Sequence, residues 1–166
     1  MEEVFIGTII FLVTAFLTFL GNKFFLKRPK ITLTIQDDSA GSSASEKPEH
    51  LRIKWNKYFV IKNSTKNSAY NIHFYNLPKN FVLHNHNNIN LESFNESKIK
   101  FSFLENIEKQ KVILSKHNFV ELLPNYFREL SFGLEYENEH NKKFYTYYQR
   151  RNDLEQTKFY FHKVFK

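Results

Sequence analysis

The chain has 166 residues, a formal net charge of +7, 19 Phe, 9 Tyr, 4 Gly and no Cys. The absence of cysteine rules out a disulfide framework and thiolate metal sites, and it agrees with a reducing compartment. Glycine is too scarce for a phosphate-cradling loop.

The first element is the apolar run Val4 to Gly21, VFIGTIIFLVTAFLTFLG, which carries no charged side chain. At about 1.5 Å per residue such a run nearly crosses a hydrocarbon core of roughly 30 Å. The acidic start Met1-Glu2-Glu3 and the bulky end Phe16 to Leu20 lack the basic n-region and small-residue cleavage site of a secretory signal. A transmembrane helix is therefore expected within 1–28. Its membrane-flanking cations are Lys23, Lys27, Arg28 and Lys30. Lys and Arg are retained on the cytoplasmic side, so the N-terminus should face out and the following domain the cytoplasm, in a single pass through the inner (cell) membrane. Gly7, Thr8, Thr14 and Thr18 offer small and hydroxylated positions for homo-oligomer formation through the helix.

Pro29 ends the helix, and 29–166 reads as one domain. Ile31 to Ile35 alternates as a strand, and 37–49, DDSAGSSASEKPE, reads as a flexible loop. Short strands follow at Leu51–Trp55, Tyr58–Lys62, Ala69–Tyr75, Phe81–Leu83, Ile89–Leu91, Ile99–Phe103, Val112–Leu114, Phe119–Leu123, Leu130–Tyr136, Lys143–Gln149 and Lys158–Val164. A turn of helix could sit within Glu121 to Glu129, limited by Pro124. Many short strands separated by turn signals indicate an antiparallel β-sandwich, with a barrel as the alternative.

The stretch YFVIKNSTKNSAYNIHFYNLP resembles a strand-turn-strand unit of bacterial membrane-anchored immunoglobulin-like β-sandwich domains, in which a strand ends in Asn and the next opens Ala-Tyr-Asn-Ile. The later stretch VELLPNYFRELSFGLEYENEHNKKFYTYY resembles the end of such domains. The resemblance covers most of Leu51 to Tyr148 and implies the fold. It carries no catalytic motif, and the cysteine pair of the best-known immunoglobulin pattern is missing. Trp55, the one tryptophan, is expected to pack in the core.

Three constellations bear on chemistry. His84-Asn85-His86 could begin a metal site, but no third ligand stands at a telling spacing, so no metal and no cofactor is expected. Lys142, Lys143, Arg150 and Arg151 flank the aromatic run Phe144 to Tyr148, and with Tyr147 they are the candidate contacts for lipid headgroups or a small anionic ligand. The strand period of two should expose these cations and turn part of the ring set inward. Glu135, Glu137 and Glu139 alternate as a solvated carboxylate row. There is no Ser-His-Asp order and no H-E-x-x-H pattern, so no enzymatic activity is expected. The expectation is a membrane-anchored binding module at the cytoplasmic membrane face, contacting the lipid bilayer and an unidentified protein partner. The alternative is a membrane effector of the antiviral-defence type, whose β-domain senses a small anionic ligand such as a cyclic nucleotide.

Overall fold

The computed structural model describes residues 2–21, 27–84, 89–151 and 153–164, with the backbone alone for 2–5. Helix α1 (Glu2–Gly21) has 20 residues. The Thr14 hydroxyl donates to the Ile10 carbonyl and the Thr18 hydroxyl to the Thr14 carbonyl, both at 2.8 Å. Each hydroxyl is thus satisfied by the preceding turn of its own helix. Every residue from Ile6 to Phe19 is exposed. Among the described residues no helix is long and apolar enough to cross a membrane. The part with described side chains, residues 6–21, rises only about 24 Å, short of the roughly 30 Å core. The span expected at Val4 to Gly21 is therefore not established by the fold.

The rest of the chain is a two-layer antiparallel sandwich. Its strands are β1 (Ile31–Ala44), β2 (His50–Asn63), β3 (Ala69–Tyr75), β4 (Val82–Leu83), β5 (Ile89–Leu91) and β6 (Glu96–Glu108), then β7 (Ser131–Glu137), β8 (Lys143–Arg151) and β9 (Leu154–Tyr160). Helices α2 (Lys109–Leu114) and α3 (Asn125–Arg128) lie between β6 and β7. One sheet has the order β1-β2-β6-β4 and the other β5-β3-β7-β8-β9. The all-β expectation is met.

Alternation builds the core. Ile53, Trp55, Phe59 and Ile61 on β2 and Ile99, Phe101 and Phe103 on β6 face Phe132, Leu134, Tyr136, Phe144 and Tyr148 of the other sheet, and all are buried. The Phe59 and Phe101 rings stack at 3.9 Å, and Trp55 stacks on Phe103 at 5.2 Å. Such pairs add about 0.5–1.5 kcal/mol each beyond their buried area. Trp55 Nε1 donates to the Phe119 carbonyl at 2.9 Å, so the expected core tryptophan is also hydrogen-bonded. In the Ala-Tyr-Asn-Ile unit, Asn71 takes φ 53°, where Asn is tolerated, and the β3 register shifts there.

Four expectations are corrected. The segment 37–44 is not a loop: β1 runs through it to Ala44, paired with β2 as far as Leu51. A bulge between Asp37 and Ser39 reverses the side-chain parity, so Ala40, Ser42 and Ala44 stand opposite Trp55, Ile53 and Leu51. The segments 51–55 and 58–62 form one strand, β2, whose ladder with β6 runs without a shift from His50 to Lys62 and carries Lys57 on its core face. Val112 to Leu114 lies in α2, which buries Val112 alone and leaves Ile113 and Leu114 exposed. Phe119 to Leu123 forms turns, since Arg128 donates to the carbonyls of Val120, Glu121 and Leu123 that a neighbouring strand would otherwise use.

Candidate functional site

Where the chain joins the sandwich, Arg28 is buried. Its guanidinium donates to the Tyr145 carbonyl at 3.2 Å and the Tyr160 carbonyl at 2.9 Å, and lies 4.5 Å from the Phe161 ring centroid. The neighbouring Tyr136 hydroxyl donates to the Pro29 carbonyl at 3.1 Å. Burial raises the Tyr136 pKa, opposed by its Thr146 hydrogen bond and by Arg28. Arg28 is thus a clamp between β8 and β9, with its guanidinium turned into the sandwich. Lys27 and Lys30 are exposed, and Lys27 Nζ lies 3.7 Å from Glu139 and 3.1 Å from His140 Nε2. Lys23 lies outside the described residues.

The four cations proposed around the aromatic run do not gather. Lys143 and Arg151 stand at opposite ends of β8, roughly 26 Å apart at a rise near 3.3 Å per residue. Lys142 is half-buried and Lys143 exposed, on the same side of the fold as Lys27. Lys143 Nζ pairs with Glu135 at 2.6 Å, and that bond raises its pKa. Glu135 also lies 3.8 Å from Lys163, so this carboxylate is not simply solvated. Phe144, Thr146 and Tyr148 turn to the core as the strand period requires. Tyr147 points to the other face yet is only 7% exposed, which leaves little ring for stacking a base. It stands beside Gly133, where a Cβ would run into the Tyr75 ring, so the glycine lets that tyrosine lie flat across β7.

At the other end of β8, Arg151 is exposed, whereas the Arg150 side chain is 13% exposed. Arg150 pairs with Asp153 at 2.6 Å and Glu155 at 3.2 Å, and its guanidinium lies 4.9 Å from the Phe127 centroid. The expectation of an exposed Arg150 fails because the β8–β9 turn returns two carboxylates beside it. Arg150 holds the Asp153 carboxyl below its ordinary range. A lowered carboxyl stabilises the fold above its unfolded pKa near 3.9, so this pair persists at neutral pH and is lost as acid carries the pH below about 4. We expect Arg150→Ala to cost about 2 kcal/mol and Arg151→Ala no more than about 0.5 kcal/mol, read by urea denaturation. Equal costs would contradict the network.

A second charged group, on β2, has no counterpart in the sequence reading. Lys57 is 4% exposed, between Trp55 and Phe59 on the core face. Its ammonium pairs with Asp37 and lies 4.9 Å from the Phe127 centroid. Phe127 therefore carries both Lys57 and Arg150 on one fully buried ring. Beside this group a cleft of about 130 Å³ is lined by Asp37, Ala40, Trp55, Lys57, Phe119 and Val120, among others. A lysine interrupting an apolar alternation was the sequence signal that could have revealed it.

His84 Nε2 lies 3.0 Å from the Ser102 hydroxyl, and His86 lies outside the described residues. Among the described residues no group of three His, Cys, Asp or Glu could hold a metal ion.

The chain matches no protein-family profile and no curated protein. The geometry of its own residues therefore carries the functional argument.

Proposed function

We propose that this protein is a single-pass membrane-anchored binding module, with α1 in the cell membrane and the sandwich at the cytoplasmic face. The observation that carries the reading is α1 itself. Its apolar side chains are exposed from 46% at Ile9 to 72% at Phe11, with no sandwich surface covering them. A helix apolar on all sides needs a solvent as apolar as itself. Leaving out Glu2 and Glu3, the helical backbone of the apolar run rises about 27 Å, close to the roughly 30 Å of a bilayer core. The self-satisfied hydroxyls of Thr14 and Thr18 suit a lipid surroundings, where an unpaired polar group is costly. They also leave those two threonines less to offer a second helix, so the bilayer is favoured over a helix-mediated oligomer.

The side of the sandwich that receives the chain from α1 bears Lys27, Lys30, Lys142 and Lys143, which suits anionic headgroups. The strand order supports an immunoglobulin-like reading of the domain. The order β1-β2-β6-β4 follows the A-B-E-D sheet of that fold and β3-β7-β8 its C-F-G sheet, with β5 and β9 added at the edges. The ligand-sensing alternative ranks lower, because Arg150 is already held by Asp153 and Glu155, and Tyr147 is covered.

The test uses the lack of native cysteine. With Ser43→Cys as the one thiol, on an exposed strand, the membrane-extracted protein should resist alkaline carbonate. The thiol should react with a membrane-impermeant maleimide only after the cells are opened. Release by carbonate would refute the anchor, and labelling of intact cells would refute the orientation.

A further inference from the structure

The two ends of the sandwich differ in what they can reach. Lys27 lies six residues beyond Gly21, the last residue of α1, so the two are at most about 22 Å apart. β1 then carries the chain away for 14 residues, about 43 Å, to Ala44. The loop before β6 belongs to the near end. The Ser64 amide donates to the Lys30 carbonyl at 2.9 Å, and the Phe94 amide to the Thr65 carbonyl at 3.1 Å. The buried Asn63 side chain ties the same loops by donating to the Asn67 carbonyl at 2.6 Å and the Glu92 carbonyl at 3.1 Å.

Phe94 in this loop is 65% exposed and makes no ring contact among the described residues. Its backbone stands at φ 59°, in the left-handed region that a bulky side chain rarely adopts. Every other non-glycine residue at positive φ among the described residues is Asn, Asp, Lys or His. Asn or Gly would hold this turn with less strain. A strained phenylalanine with its ring in water adds nothing to the core, which points to a contact outside the sandwich. Phe161, 44% exposed, stands at the same end with its ring 4.5 Å from the Arg28 guanidinium. Glu92 and Glu96 flank Phe94 in sequence, so the ring draws this loop to a surface and anionic headgroups do not. Ile113 and Leu114 are at least as exposed but belong to the far end, where the Lys109 amide donates to the Glu49 carbonyl. The tether therefore keeps Phe94, and not α2, beside a bilayer that holds α1.

We infer that Phe94, with Phe161 beside the chain entry, enters the interfacial zone of the same bilayer that holds α1 and so fixes how the sandwich stands on the membrane. Apolar side chains in this mode reach the boundary between headgroups and acyl chains. One or two rings are too weak to hold a free protein on a bilayer, and they suffice where a tether already keeps them at its surface. The inference rests on the membrane-anchored reading and adds a second, separate membrane contact to it.

The test uses the full chain in phosphatidylcholine vesicles, with a nitroxide on a single thiol at Ser93→Cys or, at the far end, at Ser43→Cys. By spin-label power saturation, the label at 93 should be shielded from a water-soluble nickel chelate and reached by dissolved oxygen, and the label at 43 the reverse. Adding Phe94→Asn should lower the ratio of shielded to exposed label at 93 about tenfold or more, whereas Phe94→Leu, still apolar, should keep most of it. Asn tolerates the left-handed backbone, so urea denaturation in detergent should find Phe94→Asn at least as stable as the parent. A water-like label at 93 in chains that float with the vesicles overturns this inference alone. Equal shielding at 43, a Phe94→Asn variant that unfolds, or shielding that needs added phosphatidylserine also overturns it. Shielding that fades as the protein is diluted in lipid overturns it in favour of a second copy. Failure of the parent to float overturns the anchor, and this inference with it.

Discussion

A chain beginning at Lys27 should lose association with zwitterionic bilayers and keep its β structure. The exposed apolar side chains of α1 run from Ile6 to Phe19. At about 25 cal/mol per Å² their transfer from water is worth on the order of 10 kcal/mol, enough to make partitioning effectively complete. The sandwich has its own core and needs nothing from α1 to bury it. The cut must spare Arg28. A chain beginning at Pro29 would strip the carbonyls of Tyr145 and Tyr160 of their donor and the Phe161 ring of its cation, at a cost of about 2–3 kcal/mol. Flotation with zwitterionic liposomes reads the first effect, and far-ultraviolet circular dichroism with urea denaturation reads the second. Flotation of the Lys27 chain would refute the anchor role of α1. An unfolded spectrum would refute the independence of the sandwich.

Phe127→Ala should be among the most damaging single substitutions, at about 3–5 kcal/mol, the usual cost of removing a buried ring. That is a large part of the 5–15 kcal/mol typical of a domain. The ring is fully buried and stacks on Phe103 at 5.0 Å. It also faces Lys57 and Arg150 at 4.9 Å each, so its loss leaves two poorly hydrated cations without their π surface. Lys57→Met makes the contrast. It keeps the stem that packs on the ring and removes the buried charge. The Asp37 carboxylate left behind is 70% exposed and stays hydrated. Replacing a buried ion with an apolar residue is often neutral or stabilising, so Lys57→Met should stay within about 1 kcal/mol of the parent. Urea denaturation of the Lys27 chain and its two variants checks both. A Lys57→Met variant as unstable as Phe127→Ala would show that the ion pair, rather than the ring, holds this part of the core.

The class of fold and the facing of several strands were legible in the sequence. Alternation over Ala69 to Tyr75 marked β3 at its observed bounds, and Phe144, Thr146 and Tyr148 turned inward as a period of two demands. Trp55 was legible as core, and the apolar run as a helix. These follow from local rules, because a strand's side-chain direction depends only on position within the strand. Which charges are buried became visible only in the assembled sandwich. Lys57 broke the apolar pattern of β2 and so split one strand into two, and its neutralisation came from Phe127 and Asp37, which lie far from it in sequence or on another strand. Arg28 read as a membrane-flanking cation until β8 and β9 offered it two carbonyls, and Arg150 as an exposed one until Asp153 and Glu155 returned beside it. The small polar residues of 39–44 form a strand because β2 supplies a ladder as far as Leu51, and no local propensity announces a neighbour's backbone. The cleft beside Lys57 exists only once that pairing is made.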